Sequence, residues 1–386
     1  MRPFIAMILG LAFFACAVPA DSADVYVTPE ERPKQIVGVD RGEGLPVLRG
    51  TWNVDSPTKG ATAVRIAAGV AHVSLKGLRI DGYVTGVSVV KASKGKDCSH
   101  LSFDDVDIRH SRYGFYLHDC DDMRLVDCDL TRYAKHGFRF EQGCERVELL
   151  RCSADCSEGD ESWETKTESL PFGFSVNNGG SPNRDFLFDQ CVASNNMMPL
   201  QKGKYKNGDG FVVEGNAQRV RFHHCRAIRN QDAGYDLKVE EVKLIGCVAV
   251  NNKRNFRIWS TGTLLNCFAG GGVLGLWCNG GPVLAQRCTF FGSSSAAVQT
   301  DDRAKLPVTL RDCIISHTQQ AFRKTARGPI DSEGTIISSP TGPDKDPQFN
   351  EPTEHWNGVG AAFDSRQFPD KGYRSDLKTK ADQHGK

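Results

Sequence analysis

One phrase recurs along this chain roughly every 20 to 25 residues, insertions aside, and it restricts the fold more than any other feature. It reads Gly, an aromatic or aliphatic residue, an alternating run, a short polar turn, then hydrophobic-x-hydrophobic-x-x-Cys and an Asn- or Ser-rich corner. Copies stand at Gly114-Phe115…Cys128, Gly137-Phe138…Cys152, Gly173-Phe174…Cys191, Gly210-Phe211…Cys225 and Gly234-Tyr235…Cys247. Degenerate copies follow at Asn255-Phe256…Cys267, Leu274-Gly275…Cys288 and Ala297-Val298…Cys313. Two or three short strands per period, with no helical pattern between them, define a solenoid. Strands so close in sequence and so alike stack in parallel, one coil above the next. The prediction is an all-β chain forming a single-stranded right-handed parallel β-helix of about 10–12 coils.

The period also divides the chain. Residues 1–23 read as an export signal, with Met1-Arg2 at its charged start and an apolar stretch from Ile5 to Ala17. Cleavage is expected after Ala20 or Ala23, in small-residue surroundings. The apolar run is short for a membrane span, and Phe13 is a poor match for lipoprotein anchoring at Cys16, so a secreted or periplasmic protein is expected. Residues 24–61 are punctuated by Gly and Pro and read as an irregular N-terminal cap. Coils are expected over 62–339, with Leu78 at the later cysteine position, and a polar tail over 340–386, disordered from Lys371 onward. Two insertions, at 157–171 and 195–207, interrupt the period just before the strands that begin at Gly173 and Gly210. In a solenoid such insertions become loops beside one face, where ligands bind.

A formal net charge of +1 gives no electrostatic reason for a nucleic acid or an anionic membrane as partner. Fourteen cysteines in an exported chain would ordinarily suggest disulfides. Here most hold one position in successive coils, about 4.8 Å apart with parallel Cβ vectors, farther than the ~3.8 Å a disulfide prefers. A ladder of buried thiols is the expectation, with Cys152/Cys156 and Cys120/Cys144 the pairs worth checking. No CxxC pair is present, which argues against zinc.

Aligning the coils on the Gly-aromatic step allows the outward positions to be read across. One column runs Tyr116, Arg139, Ser175, Val212, Asp236, Arg257; the next runs His118, Glu141, Asn177, Glu214, Lys238, Trp259. Asp209 and Asp232 lie just before their strands, so Asp209, Asp232 and Asp236 are expected to converge, with Arg257 one coil beyond. Three carboxylates on one rigid wall repel one another and suggest a bound cation, Ca²⁺ with oxygen ligands. Asn and Asp at coil corners also serve plain turn chemistry, which would account for Asp209 alone.

The phrases Asn207-Gly-Asp209-Gly-Phe, Cys225-Arg-Ala-Ile-Arg-Asn230-Gln-Asp232-Ala-Gly-Tyr-Asp236-Leu and Cys247-Val-Ala-Val-Asn-Asn resemble the core of family 9 polysaccharide lyases, β-helical calcium-dependent pectate lyases. The similarity covers about 50 of the 386 residues. It implies Asp209, Asp232 and Asp236 as calcium ligands, and it departs at Ala233, where the family has another Asp, and at Arg257, where the family carries its Lys base. The reaction implied is β-elimination on a uronate polymer, calcium acidifying the C5 proton and a base removing it. Arg257 is the positional candidate for that base and Lys238 the alternative. Tyr205 and Trp259 are candidates for stacking on sugar rings, and Arg254 and Lys204, with Lys202 and Lys206, for meeting uronate carboxylates.

The expected partner is an acidic polysaccharide, and a monomer is expected. Three other functions fit the same fold. A glycoside hydrolase needs a carboxylate pair, and the Gly-His-Gly phrase of polygalacturonases is absent. A uronate epimerase needs a second acid, and His118 lies several coils away. A non-catalytic glycan-binding or structural solenoid is favoured if the three carboxylates pair with arginines.

Overall fold

The stretch from Asp209 to Val250 shows how one turn is made. Asp209–Val213 forms the first of three strands, Gln218–His223 the second and Arg226–Ile228 the third; the next turn repeats them as Ala233–Leu237, Val242–Ile245 and Val248–Val250. A single residue in the left-handed region separates the second strand from the third, His224 (φ 52°) in one turn and Gly246 (φ 63°) in the next. Another follows the third strand, Arg229 (φ 54°) and Asn251 (φ 57°). Two one-residue corners per turn bend the chain sharply enough to return to its own column after some 20 residues.

This computed structural model describes residues 23–337, apart from 29–33, 40–44, 92–96, 178, 204, 302–305 and 325–328. All strand pairings among the described residues are parallel, in about 11 turns. Face one carries the strand after the Gly-aromatic step, and faces two and three follow in each turn. The expected β-helix is the observed architecture. No helix among the described residues is long and apolar enough to cross a membrane. The expected export signal and the polar tail lie outside the described residues.

The repeated phrase reads directly as interior columns. Phe115, Phe138, Phe174, Phe211, Tyr235 and Phe256 occupy one register position, with stacked rings 4.7–5.3 Å apart. Each such contact adds about 0.5–1.5 kcal/mol beyond area burial. The glycine before the ring is required by close approach. A Cβ at Gly173 would meet the Gly210 carbonyl oxygen at 2.7 Å and the Ala193 Cβ at 3.0 Å. Leu78, Val106 and Cys128 share a register position, so Leu78 does precede the cysteines there. The thirteen described cysteines are buried free thiols, Cys120, Cys144, Cys152 and Cys156 among them.

The corner after face three carries an amide column. Tyr133 donates its hydroxyl to Asn196 Oδ1 (2.6 Å), Asn196 Nδ2 to Asn230 Oδ1 (2.8 Å), Asn230 Nδ2 to Asn252 Oδ1 (2.9 Å), and Asn252 Nδ2 to Asn255 Oδ1 (3.0 Å). All four amides are buried, so each lost partner would cost about 1–3 kcal/mol.

Within 24–61, expected as an irregular cap, the described strands instead begin the solenoid. Ala23–Val27 pairs with Thr62–Ile66, Lys34–Val37 with Val73 to Lys76, and Val47–Arg49 with Arg79 to Asp81. The short aliphatic triplets supply inward side chains, and the Gly and Pro residues fall between them.

Candidate functional site

Face one has its N-terminal edge walled by the two insertions. The first forms a 3₁₀ turn, Glu161–Lys166, capped by Asp160, which accepts the Ser162 N–H. Trp163 is buried and donates to the Tyr133 carbonyl at 3.3 Å, and Arg112 clamps Glu168 at 2.6 and 3.0 Å. The insertions touch each other where Thr167 donates to the Met197 carbonyl. Along this face the outward column stands in the register expected from sequence: Tyr116, Arg139, Ser175, Val212, Asp236, Arg257.

The structure brings Asp209, Asp232 and Asp236 into one region, but surrounds two of them with cations. Asp232, fully buried, accepts the Tyr205 hydroxyl at 2.8 Å on both oxygens and Arg257 Nη1 at 3.3 Å; Arg254 Nη1 also bonds it, and Lys253 Nζ lies 3.8 Å away. Asp236 accepts Trp259 Nε1 at 2.5 Å and Lys238 Nζ at 2.8 Å, with Arg257 Nη1 at 3.7 Å. Asp209 Oδ1 accepts the Ala233 N–H at 2.6 Å, and its buried Oδ2 has no partner. Burial, then the charges of Asp236 and Asp232, push the Asp209 carboxyl well above its ordinary value.

Calcium takes six to eight oxygen ligands. Here ammonium, guanidinium, indole and phenol groups occupy the lone pairs of Asp232 and Asp236, and the one spare oxygen belongs to a carboxyl that burial disposes to keep its proton. No cluster of three or more His, Cys, Asp or Glu among the described residues is arranged to hold a metal ion. These residues do not fit a calcium centre in this arrangement, and Asp232 and Asp236 pair with Arg254 and Arg257, the outcome that favours a non-catalytic role for this cluster.

The two base candidates are also constrained. Burial alone would lower the Lys238 ammonium, but Asp236 and Glu214 outweigh it and hold it above the ordinary lysine value. It therefore stays charged. Arg257 packs against both the Trp259 and Trp277 rings, 4.4 and 4.9 Å from their centroids. The guanidinium is thereby held in place against two ring faces. Tyr205 is 52% exposed and lies under Lys253 rather than presenting a free ring. Arg254 is spent largely on Asp232, Lys202 and Lys206 are exposed, and Lys204 lies outside the described residues.

A second constellation stands on the same face, in the turns before the insertions. Tyr113 and Tyr116 stack at 5.0 Å, His118 lies 4.6 Å from the Tyr116 ring, and Arg139 covers that ring at 5.4 Å. Arg139 ion-pairs with Glu141 and donates to His136 Nδ1 at 3.0 Å; Asn177 Nδ2 donates to both Glu141 oxygens at 3.0–3.1 Å. Glu141 is 4% exposed. His118 Nδ1 and His136 Nε2 are buried without partners. Burial lowers the His118 imidazole against the pull of Glu141 and Asp119, and it raises both tyrosine hydroxyls. The result is a neutral imidazole beside protonated phenols and an anchored guanidinium. The columns contained His118 and Arg139, but sequence reasoning missed the group. Tyr113 and His136 are register partners one residue before the Gly-aromatic step, a position that the two outward columns read after the Gly leave out.

The model of the right handed beta helix region family matches residues 85–272. Among solved structures, the A-module of the Azotobacter vinelandii mannuronan C-5 epimerase AlgE6 is similar at 13% identity and a TM-score of 0.50, over 82% of this chain and 91% of that one. The periplasmic alginate epimerase AlgG is similar at 6% and 0.45, over 72% and 75%. Pectate lyase Pel9A is similar at 14% and 0.37, over 85% and 74%. No curated protein matches the sequence. The chain has the right-handed parallel β-helix fold.

Proposed function

We propose that this protein binds a uronate-containing polysaccharide along face one and moves the C5 proton of a bound uronate, leading to β-elimination or to epimerisation. One observation carries the reading: His118, kept neutral by burial, sits against the Tyr113–Tyr116 stack within one rung of the Arg139–Glu141 pair. A fold shared with a mannuronan C-5 epimerase module is compatible with such a polymer; the residues, not the likeness, support the chemistry.

The N–H groups of Arg139 not spent on Glu141 and His136 would bind the uronate carboxylate, lowering the cost of charge that develops when C5 loses its proton. His118 would take that proton, and the C5–H electrons would pass into the carboxylate as an enediolate. In elimination these electrons form the C4–C5 double bond, O4 leaves, and a tyrosine hydroxyl protonates it. In epimerisation a hydroxyl returns a proton to the opposite face of C5. Glu141 touches no substrate in this scheme; it holds Arg139 in place. The calcium-assisted form of the reaction would require Arg254, Arg257 and Lys238 to leave Asp232 and Asp236, and no step is derived through it.

The test is incubation with polyuronates in D₂O, with and without chelator, following deuterium at C5 by NMR and the absorbance of 4,5-unsaturated ends. Either signal is expected, unaffected by chelator, and His118→Gln should reduce it about 10²–10⁴-fold, as loss of a general base does. Absence of both signals on every uronan overturns the reading in favour of a binding solenoid.

A further inference from the structure

The carboxylate cluster at Asp232 and Asp236 remains without a function in that scheme, although it is as elaborately built as the His118 group. Its buried acids do not face solvent. What does is the layer they anchor: Lys238, Lys253, Arg254 and Arg257, with side chains 28, 39, 18 and 14% exposed. Four cations thus stand over two buried carboxylates and the half-exposed Glu214, with Asp209 disposed to stay neutral. Arg254 Nε and Arg257 Nε have no protein partner. Trp259 and Tyr205 flank these cations, giving the patch polar donors and ring faces together.

We infer that this patch is a distal subsite for the carboxylates of the same anionic polymer, using fixed guanidinium and ammonium groups where a metal ion would otherwise supply the charge. The inference rests on the polyuronate reading above. Tyr116, Arg139, Ser175, Val212, Asp236 and Arg257 are successive partners in one column, so Arg257 lies five rungs from Tyr116. At roughly 4.8 Å per rung the two groups are about 24 Å apart along the face. A ligand that engages both must be a chain of several sugars. The buried aspartates aim the cations before the ligand arrives, so little side-chain freedom is lost on binding. Neutral polymers gain nothing from such a surface.

Calorimetric titration of the full chain with short and long oligouronates, both in chelator, tests the subsite without depending on turnover. The long oligomer, able to span about 24 Å, is expected to bind at least tenfold more tightly than the short one. Lys253→Ala is expected to weaken the long oligomer about tenfold, the scale of a well-placed interface residue. Arg257→Ala, which also strips a partner from Asp232, serves as a second variant only if its circular dichroism matches the parent. Equal affinity for the two lengths, equal affinity for a carboxyl-reduced polymer, or binding that appears only with added calcium overturns the subsite. The two proposals fail separately. Length-dependent binding without C5 exchange or unsaturated product removes the chemistry and keeps the subsite; turnover without length dependence does the reverse.

Discussion

Asp209→Asn separates a protonated structural carboxyl from a metal ligand. The side chain is fully buried, one oxygen accepts the Ala233 N–H, and the other has no partner. Burial and the two neighbouring carboxylates raise the folded value well above the ordinary 3.8. A raised folded value means that the group's contribution is fully present below pH 3.8 and is lost as pH rises through the folded value. At pH 7 the folded chain must either take up a proton that the unfolded chain has released or bury a charge. For a carboxyl of ordinary value 3.8, taking up that proton costs at most about 4 kcal/mol. Asparagine has the same shape, keeps the acceptor for Ala233, and carries no proton to gain or lose. Asp209→Asn should therefore raise stability at pH 7 by as much as about 4 kcal/mol, with the gain shrinking toward zero near pH 4. Urea unfolding followed by circular dichroism at pH 4, 5.5 and 7, in chelator, measures this. A variant no more stable than the parent at pH 7, or a gain independent of pH, refutes the reasoning. A calcium ligand at this position predicts the opposite sign, a loss of stability that appears only when calcium is added.

Other expectations follow from the columns. Asn230→Ala removes the middle of the amide column: the Asn196 backbone N–H and side-chain amide lose the Asn230 acceptor and the Ala193 carbonyl loses the Asn230 donor, so a loss of about 2–5 kcal/mol in unfolding free energy is expected, measurable by the same titration. Phe211→Ala opens the ring stack at its centre and should cost about 3–5 kcal/mol, whereas Phe211→Tyr, the residue found one rung later, should be much milder. Burial lowers His136 well below and His118 below the ordinary 6.5, so their neutral forms favour folding above that value. This contribution should fade as pH falls below 6.5 toward the folded values, and His136→Phe should blunt the acid-induced fall in thermal midpoint. Thiol reagents should label the native cysteines of the coils slowly and the unfolded ones fully, since all are buried; rapid native labelling would contradict the packing.

The interior was legible because it is periodic. An inward aromatic after Gly, a Cys after a corner and an Asn after the next recur at fixed offsets, and identical neighbours reinforce each site. The outward columns were legible for the same reason, down to the neighbouring rungs of Asp236 and Arg257. Sequence alone did not say who neutralises whom. Asp232 meets Arg254 and Lys253 from the following turn, and Tyr205 from an insertion whose path the period does not predict. Spacing could therefore converge the carboxylates without revealing that cations arrive with them. The His118 group was hidden because Tyr113 and His136 precede the Gly-aromatic step, outside the two outward columns read from it. The first turn was hidden because its strands are short and separated by Gly and Pro.

The ring stack and the amide column do more than fill space. They fix the pitch of the coil from inside, and every outward column inherits that pitch. Face one is thus a graduated scale with marks about 4.8 Å apart. A polymer read against it behaves like a vernier. If its repeat differs from the pitch by about 0.2 Å, five rungs accumulate roughly 1 Å, a displacement that can cost about a hundredfold in rate. Selectivity between uronans of similar charge can then arise from linkage length alone, enforced by phenyl rings and asparagines that no substrate touches.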